Sequence, residues 1–303
     1  MTHSDHPFVQ PVDGYLPHVV QALRESREVA HRVRHQGNLR ELPSREVLAS
    51  IMQGLSAALF PTHYGRPDLH DESIDFFVGH TLHDTLGKLT DQVRRALMFN
   101  AAGDAEQDLT RHAAATVRAL AEQLPAIRGV LFSDLQAAWQ GDPAASGMSE
   151  ILLCYPGFTA IVHHRIAHAL LRLGTPLLAR LIADIAHART GIDIHPGAQI
   201  GRGFFIDHGT GVVIGETCVI GENVRLYQAV TLGAKRFPTD EHGHLLKGQA
   251  RHPIVEDDVV IYAGATVLGR ITIGRGSTIG GNVWLTQSVP PHSNVSQALS
   301  RQS

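Results

Sequence analysis

Two hydrophobic periods divide the chain. Up to about residue 190 the apolar positions recur at helical spacing: Leu82, Leu86, Leu89, Val93, Ala96 and Leu97 share one face, and Leu109, Ala113, Val117, Leu120 and Leu124 repeat the pattern. The same spacing predicts helices over about 15–35, 45–60, 149–172 and 175–189, punctuated by Pro61, Pro67, Pro125 and Pro143, because proline lacks the amide a helix interior needs. After Gly191 the period shortens to six. An aliphatic stands at Ile194, Ile200, Ile206, Ile214, Ile220, Leu226, Leu232, Val255, Ile261, Val267, Ile273, Ile279 and Leu285, and ten of these twelve intervals are six residues. Glycine follows the aliphatic at 201, 215, 221, 233, 274 and 280. So short a repeat predicts a hexapeptide parallel β-helix.

Each six-residue unit then forms one flat side of a triangular prism, its aliphatic pointing inward, with coils stacked about 4.8 Å apart. The expected fold class is α+β. An all-α helical domain over 1–190 precedes a left-handed parallel β-helix of hexapeptide repeats over 191–292, and a short tail covers 293–303. The hand is inferred from the hexapeptide repeat, against the usual right-handed preference of crossover connections. The helical part is expected to cap and oligomerise. Its segment Gly141-Asp142-Pro143-Ala144 is the one place in it to look for chemistry.

The two irregular intervals carry the functional signal, since a coil this regular has no structural need for extra residues. The step from Ile206 to Ile214 is eight and contains Asp207, His208 and Gly209-Thr210-Gly211, whose glycines tolerate an outward bulge. Counting three sides per coil puts Asp193 at the end of the preceding third side, on the same side as His208 and one coil away. A carboxylate beside an imidazole orients its tautomer and stabilises the imidazolium, as a general base requires. The alternative is a histidine that only hydrogen-bonds a neighbouring turn. The step from Leu232 to Val255 is twenty-three and must leave the prism as a loop carrying Lys235, Arg236, Asp240, Glu241, His242, His244 and Lys247. Most of that loop reads as solvated charge. Arg251 and His252, at its re-entry, are better placed to face a cleft, where an arginine can clamp a carboxylate.

Composition narrows the classes. A formal charge of -3 with 18% charged residues implies no basic surface for nucleic acid. Cys154 and Cys218 are far apart and lack metal-ligand spacing, which fits free thiols in a reducing compartment. The N-terminal residues lack the basic and apolar regions of a secretory signal, and no apolar run approaches the roughly 20 residues of a membrane helix. A cytoplasmic, membrane-free protein is expected.

The motifs resemble one family. Gly191-Ile-Asp-Ile-His-Pro, Ile206-Asp-His-Gly-Thr-Gly-Val-Val-Ile-Gly-Glu-Thr217, Tyr227-Gln-Ala-Val-Thr-Leu-Gly233, Arg251-His-Pro253, Gly280-Gly-Asn282 and Ser288-Val-Pro-Pro291, in that order, are similar to the serine O-acetyltransferases. Upstream, Asp142-Pro143 and Tyr155-Pro-Gly-Phe158 extend the resemblance, which covers roughly residues 140–292. It implies transfer of acetyl from acetyl-CoA to the L-serine hydroxyl in cysteine biosynthesis, with no resident metal. His208 matches the family's catalytic base and Asp193 its dyad partner, while Asp142, Asp207, Arg251 and His252 match serine-binding residues. The family's equivalent of Asp142 reaches serine at a neighbouring subunit's site, and that of Arg251 engages the serine carboxylate. Gly233, Ala234, Ala263, Thr278 and Gly281 match positions lining the coenzyme A groove. No acyl-enzyme is implied, and Cys218 reads as a coil residue.

The resemblance also implies a homotrimer or a dimer of trimers. Docking into cysteine synthase uses a C-terminal isoleucine tail in the family; this sequence ends at Ser303, so that partnership is not expected. Three other readings stay open on the residues alone. One is a hexapeptide enzyme acetylating homoserine or a sugar. Another is a carbonic-anhydrase-like zinc site using His195, His208 and His252, and the third is a non-catalytic β-helix scaffold.

Overall fold

A computed structural model describes residues 14–30, 34–35, 38–39, 41–100, 106–236, 240–241 and 243–297, and groups residues 1–42 and 43–303 into two compact units. In the first unit, helix α1 (Leu16–Ala30) precedes two short antiparallel strands, β1 (Arg34–His35) and β2 (Asn38–Leu39). The helix predicted to run to 35 therefore stops at Ala30, and residues 31–33 lie outside the described residues. The second unit holds α2 (Arg45–Leu59), α3 (Pro61–Tyr64), α4 (Asp71–Asn100), α5 (Glu106–Gly141), α6 (Met148–Cys154), α7 (Pro156–Arg172) and α8 (Pro176–Thr190), followed by short strands.

Two helical expectations are corrected. Pro125 lies inside α5 rather than ending it. The lost amide costs about 3 kcal/mol, and burial of Leu120, Leu124, Leu131 and Leu135 on either side keeps the helix continuous. The predicted 149–172 helix is instead two, α6 and α7, broken at Tyr155. Pro156 forces the residue before it out of the helical region, and Tyr155 adopts φ -82, ψ 118.

The remainder is a three-faced parallel coil. The first face stacks Asp193–Ile194, Val213–Ile214, Thr231–Gly233, Thr266–Leu268 and Trp284–Leu285. The second stacks Gln199–Ile200, Val219–Ile220, Ile254–Val255 and Thr272–Ile273, and the third stacks Phe205–Ile206, Arg225–Leu226, Val260–Ile261, Thr278–Ile279 and Asn294–Val295. The third face thus runs past residue 292. Of the thirteen periodic aliphatics all but Ile200 are buried, each stabilising the coil by about 1.5–3 kcal/mol relative to exposure. Asp193 opens a strand of the first face, pairing with Val213, instead of closing the third. Each strand starts one residue before its inward aliphatic, and turn and strand share the six residues, so Asp193 belongs with Ile194.

The helices of the second unit are clamped to the coil by one buried ion pair. Asp134 on α5 accepts from Arg165 on α7 at 3.0 Å and from the Phe204 amide at 2.9 Å. The same guanidinium donates to Gly201 O at 2.6 Å. At Gly157, in the first turn of α7, a Cβ would overlap the Ile206 carbonyl, so only glycine lets α7 lie directly on the third face. Among the described residues, no helix is long and apolar enough to cross a membrane.

Candidate active site

The eight-residue interval lies at the edge between the third and first faces. Strand register equates Ile206 with Leu226 and Val213 with Thr231, so six residues span an edge that takes four in the next coil. Gly211 and Ala229 occupy equivalent corner positions, their amides bonding Gly191 O and Thr210 O. The two inserted residues are therefore His208 and Gly209, and both have left-handed backbones, φ 57 and φ 88. A left-handed histidine is uncommon and strained; here the insertion turns its ring outward, with the side chain 70% exposed.

Three carboxylates share this edge. Asp207 stands 3.5 Å from His208 Nδ1 and is itself nearly buried. Asp193 lies one coil below, its amide bonded to Val212 O. Among the described residues, no hydrogen bond or ion pair joins Asp193 to His208. Asp142, just past α5, accepts from the Tyr155 hydroxyl at 2.5 Å and the Ala144 amide at 2.8 Å. The Tyr155 bond, then the Ala144 amide, hold its carboxyl below the usual range, and the charges of His208 and Arg225 act in the same direction. Asp142 therefore belongs to the His208 edge of its own chain.

Arg251 and His252 sit elsewhere, at the edge between the first and second faces. Thr217 organises both. Its hydroxyl accepts from the Arg251 amide at 2.9 Å and the His252 amide at 3.1 Å, and lies 2.9 Å from His252 Nδ1. The Thr217 amide donates to that same nitrogen at 3.1 Å, so Nδ1 is an acceptor and Nε2 carries the proton. Burial, then the neighbouring Arg251 charge, push the His252 pKa down to about 4, leaving a neutral donor. Glu216 anchors the Arg251 guanidinium at 2.7 Å, and that bond lowers the Glu216 pKa. A Cβ at Gly215 would collide with the His252 ring, so glycine is required there. Arg270 closes the group by donating to Thr217 O and His252 O at 2.7 and 3.0 Å.

Four of the residues matched to the coenzyme A groove divide between the same two edges, and Thr278 stands on the third face. Ala263 and Gly281 lie at the His208 edge, where a Cβ on Gly281 would meet Ala263 O, and Thr278 pairs with Val260 on the third face. Gly233 ends a first-face strand and pairs with Leu268, leading into Ala234 at the Arg251 edge. Beside it a cavity of about 390 Å³ is lined by Lys235, Arg236, Arg251 and Arg270. His242 lies outside the described residues. Cys218 is buried and its thiol pushed up to about 12 by burial, which suits a coil residue and not a nucleophile. Among the described residues, no group of three His, Cys, Asp or Glu side chains could hold a metal ion.

Sequence reasoning assigned no role to Glu216, Thr217, Tyr155, Arg225 or Arg270. The first three were in plain view in the matching strings. Their contacts cross 13–35 residues of chain, a separation that periodicity does not register.

Comparison with known proteins extends the resemblance toward the N-terminus. A family model for the serine acetyltransferase N-terminal region matches residues 75–162, and one for bacterial transferase hexapeptides (six repeats) matches 252–287. The resemblance thus reaches into the helical half, upstream of residue 140. The chain is similar to a plasmid serine acetyltransferase of Synechococcus elongatus, at 61% identity over 86% of this chain and 83% of that protein. It is 50% identical to the Bacillus subtilis serine acetyltransferase over 55% of this chain and 72% of the relative. Among solved structures, serine acetyltransferase 1 of Entamoeba histolytica in complex with L-cysteine aligns with TM-score 0.72 at 37% identity, covering 94% of this chain and 98% of that one.

Proposed function

The chain belongs to the serine acetyltransferase family, and on that premise we propose that its two prism edges are the halves of one active site, completed between neighbouring copies. It is an acyltransferase that moves acetyl from acetyl-CoA to serine. The observation that carries the composite reading is the separation of Asp142, Asp207 and His208 from Arg251 and His252, at opposite ends of the first face. Two copies packed side by side would bring unlike edges together, and three would close a ring. Val213 and Trp284, exposed on the outer surface of the first face, supply an apolar patch for such a seam.

Charge complementarity supports the serine roles. The carboxylates of Asp142 and Asp207 suit the substrate ammonium, while Arg251, steadied by Glu216, suits its carboxylate. His208, outward-facing and largely exposed, takes the hydroxyl proton as the oxygen attacks the thioester carbonyl, then returns it to the departing thiolate. Asp193 stabilises the imidazolium once the ring turns from Asp207 toward it. A backbone amide near Gly233–Ala234 is suited to the oxyanion. Gly233, Ala234, Ala263, Thr278 and Gly281 line the pantetheine path, with Lys235, Arg236 and Arg270 available to the phosphates of acetyl-CoA. Residues 1–190 serve assembly and deliver Asp142, and residues 191–292 carry the chemistry.

The test is thiol release from acetyl-CoA with L-serine, L-homoserine or a sugar as acceptor. Release that depends on L-serine above the others supports the reading. Equal or absent release with L-serine overturns it.

A further inference from the structure

The helix break at Tyr155 has a chemical consequence. Tyr155 ends α6, its amide bonding Ile151 O at 3.1 Å, and begins α7, whose first turn is pinned to the third face through Gly157. Its ring is therefore held by backbone at both ends, not by a flexible loop. From that fixed point its hydroxyl reaches Asp142 Oδ2 at 2.5 Å, while Ala144 N–H takes Oδ1. Asp142 itself sits on the short link after α5. With each oxygen accepting one bond, a lone pair remains on each for an incoming donor.

We propose that Tyr155 is a positioning residue for the acceptor: its hydroxyl fixes Asp142 in the orientation that receives the serine ammonium. This rests on the reading of Asp142 as a serine-binding residue. The hydrogen bond to Asp142 raises the phenol's own pKa well above the ordinary tyrosine value, so it stays a donor. Besides Tyr155 and the Ala144 amide, the groups acting on Asp142 are His208 and Arg225, with Glu150 and Asp207 as like charges nearby. Replacing the phenol removes the strongest of the contacts that favour the ionised form of Asp142.

The experiment is steady-state kinetics of Tyr155→Phe in the full-length chain. Losing a hydrogen bond to a charged group should raise KM for L-serine roughly tenfold or more, with kcat and KM for acetyl-CoA within about twofold of wild type. With 3-hydroxypropionate, which lacks the ammonium, variant and wild type should be alike, and Asp142→Asn/Tyr155→Phe should be no worse than Asp142→Asn. An unchanged serine KM overturns the inference, as does a uniform loss on both acceptors accompanied by a lowered melting temperature. Absence of serine-dependent activity in the wild type would instead overturn the proposed function.

Discussion

Two histidines, His208 at one edge of the first face and His252 at the other, are built in opposite ways. His252 is 7% exposed, its Nδ1 held by Thr217 and its ring lodged against Gly215. His208 stands on a strained two-residue insertion with its side chain 70% exposed and Asp207 3.5 Å from its Nδ1. A group that must present one fixed donor can be locked by its own chain. A group that must accept and release a proton needs freedom to turn, and its final surroundings are left for substrate and a neighbouring copy to supply. In the proposed function the contrast is between a prebuilt binding edge and an unfinished chemical edge.

The most severe challenge to this contrast is His208→Ala. Turnover should fall by about 10²–10⁴-fold while sedimentation shows the assembly unchanged; near-normal turnover would remove chemistry from the exposed edge. Next comes Thr217→Val, which unlocks the other edge. Leaving buried donors unpaired costs about 1–3 kcal/mol, so the serine KM should rise roughly 5- to 150-fold, and an unaffected KM would show that Arg251 and His252 need no such organiser.

A finer test separates the carboxylates around His208. Asp193→Asn should lower kcat at least roughly tenfold, whereas Asp207→Asn should act mainly on the serine KM. The reverse pattern would make Asp207, the residue now nearest the imidazole, the dyad partner.

The smallest effect concerns acid stability. His163, His164 and His252 all have pKa values lowered by burial. Each is neutral when folded and titrates near 6.5 when unfolded. Their stabilising effect is therefore complete above that value and is lost as pH falls from about 6.5 toward the His252 value of about 4. Melting temperatures should drop through that window, and His252→Gln should flatten part of the drop. A flat melting profile between those values would contradict neutral burial.

How much of this was legible in the sequence follows from separation along the chain. The six-residue period located the coil, its aliphatic core and the inserted His208, because each is a local regularity or a break in one. Side counting from Ile194 reaches Asp193, the loop's re-entry points to Arg251 and the Gly141–Ala144 segment marks Asp142, but only the family motifs suggest what each would do, since no local pattern says which edge a side chain faces. The roles of Thr217 and Tyr155 needed coordinates. Thr217 meets Arg251 across 34 residues, and Tyr155 meets Asp142 only because Pro156 divides what periodicity reads as a single helix. Pro125 misled in the other direction, because burial on both sides outweighed one missing hydrogen bond.

The central claim is that the unlike edges of two copies meet, and mixed assembly tests it most directly. Chains carrying only His208→Ala and chains carrying only Arg251→Ala should each be inactive alone. Co-assembled, a closed ring of three then contains a seam with both residues intact, and random mixing restores about a quarter of wild-type activity. Mixed rings confirmed by native mass spectrometry that remain inactive would place both residues in one chain's site and contradict the account.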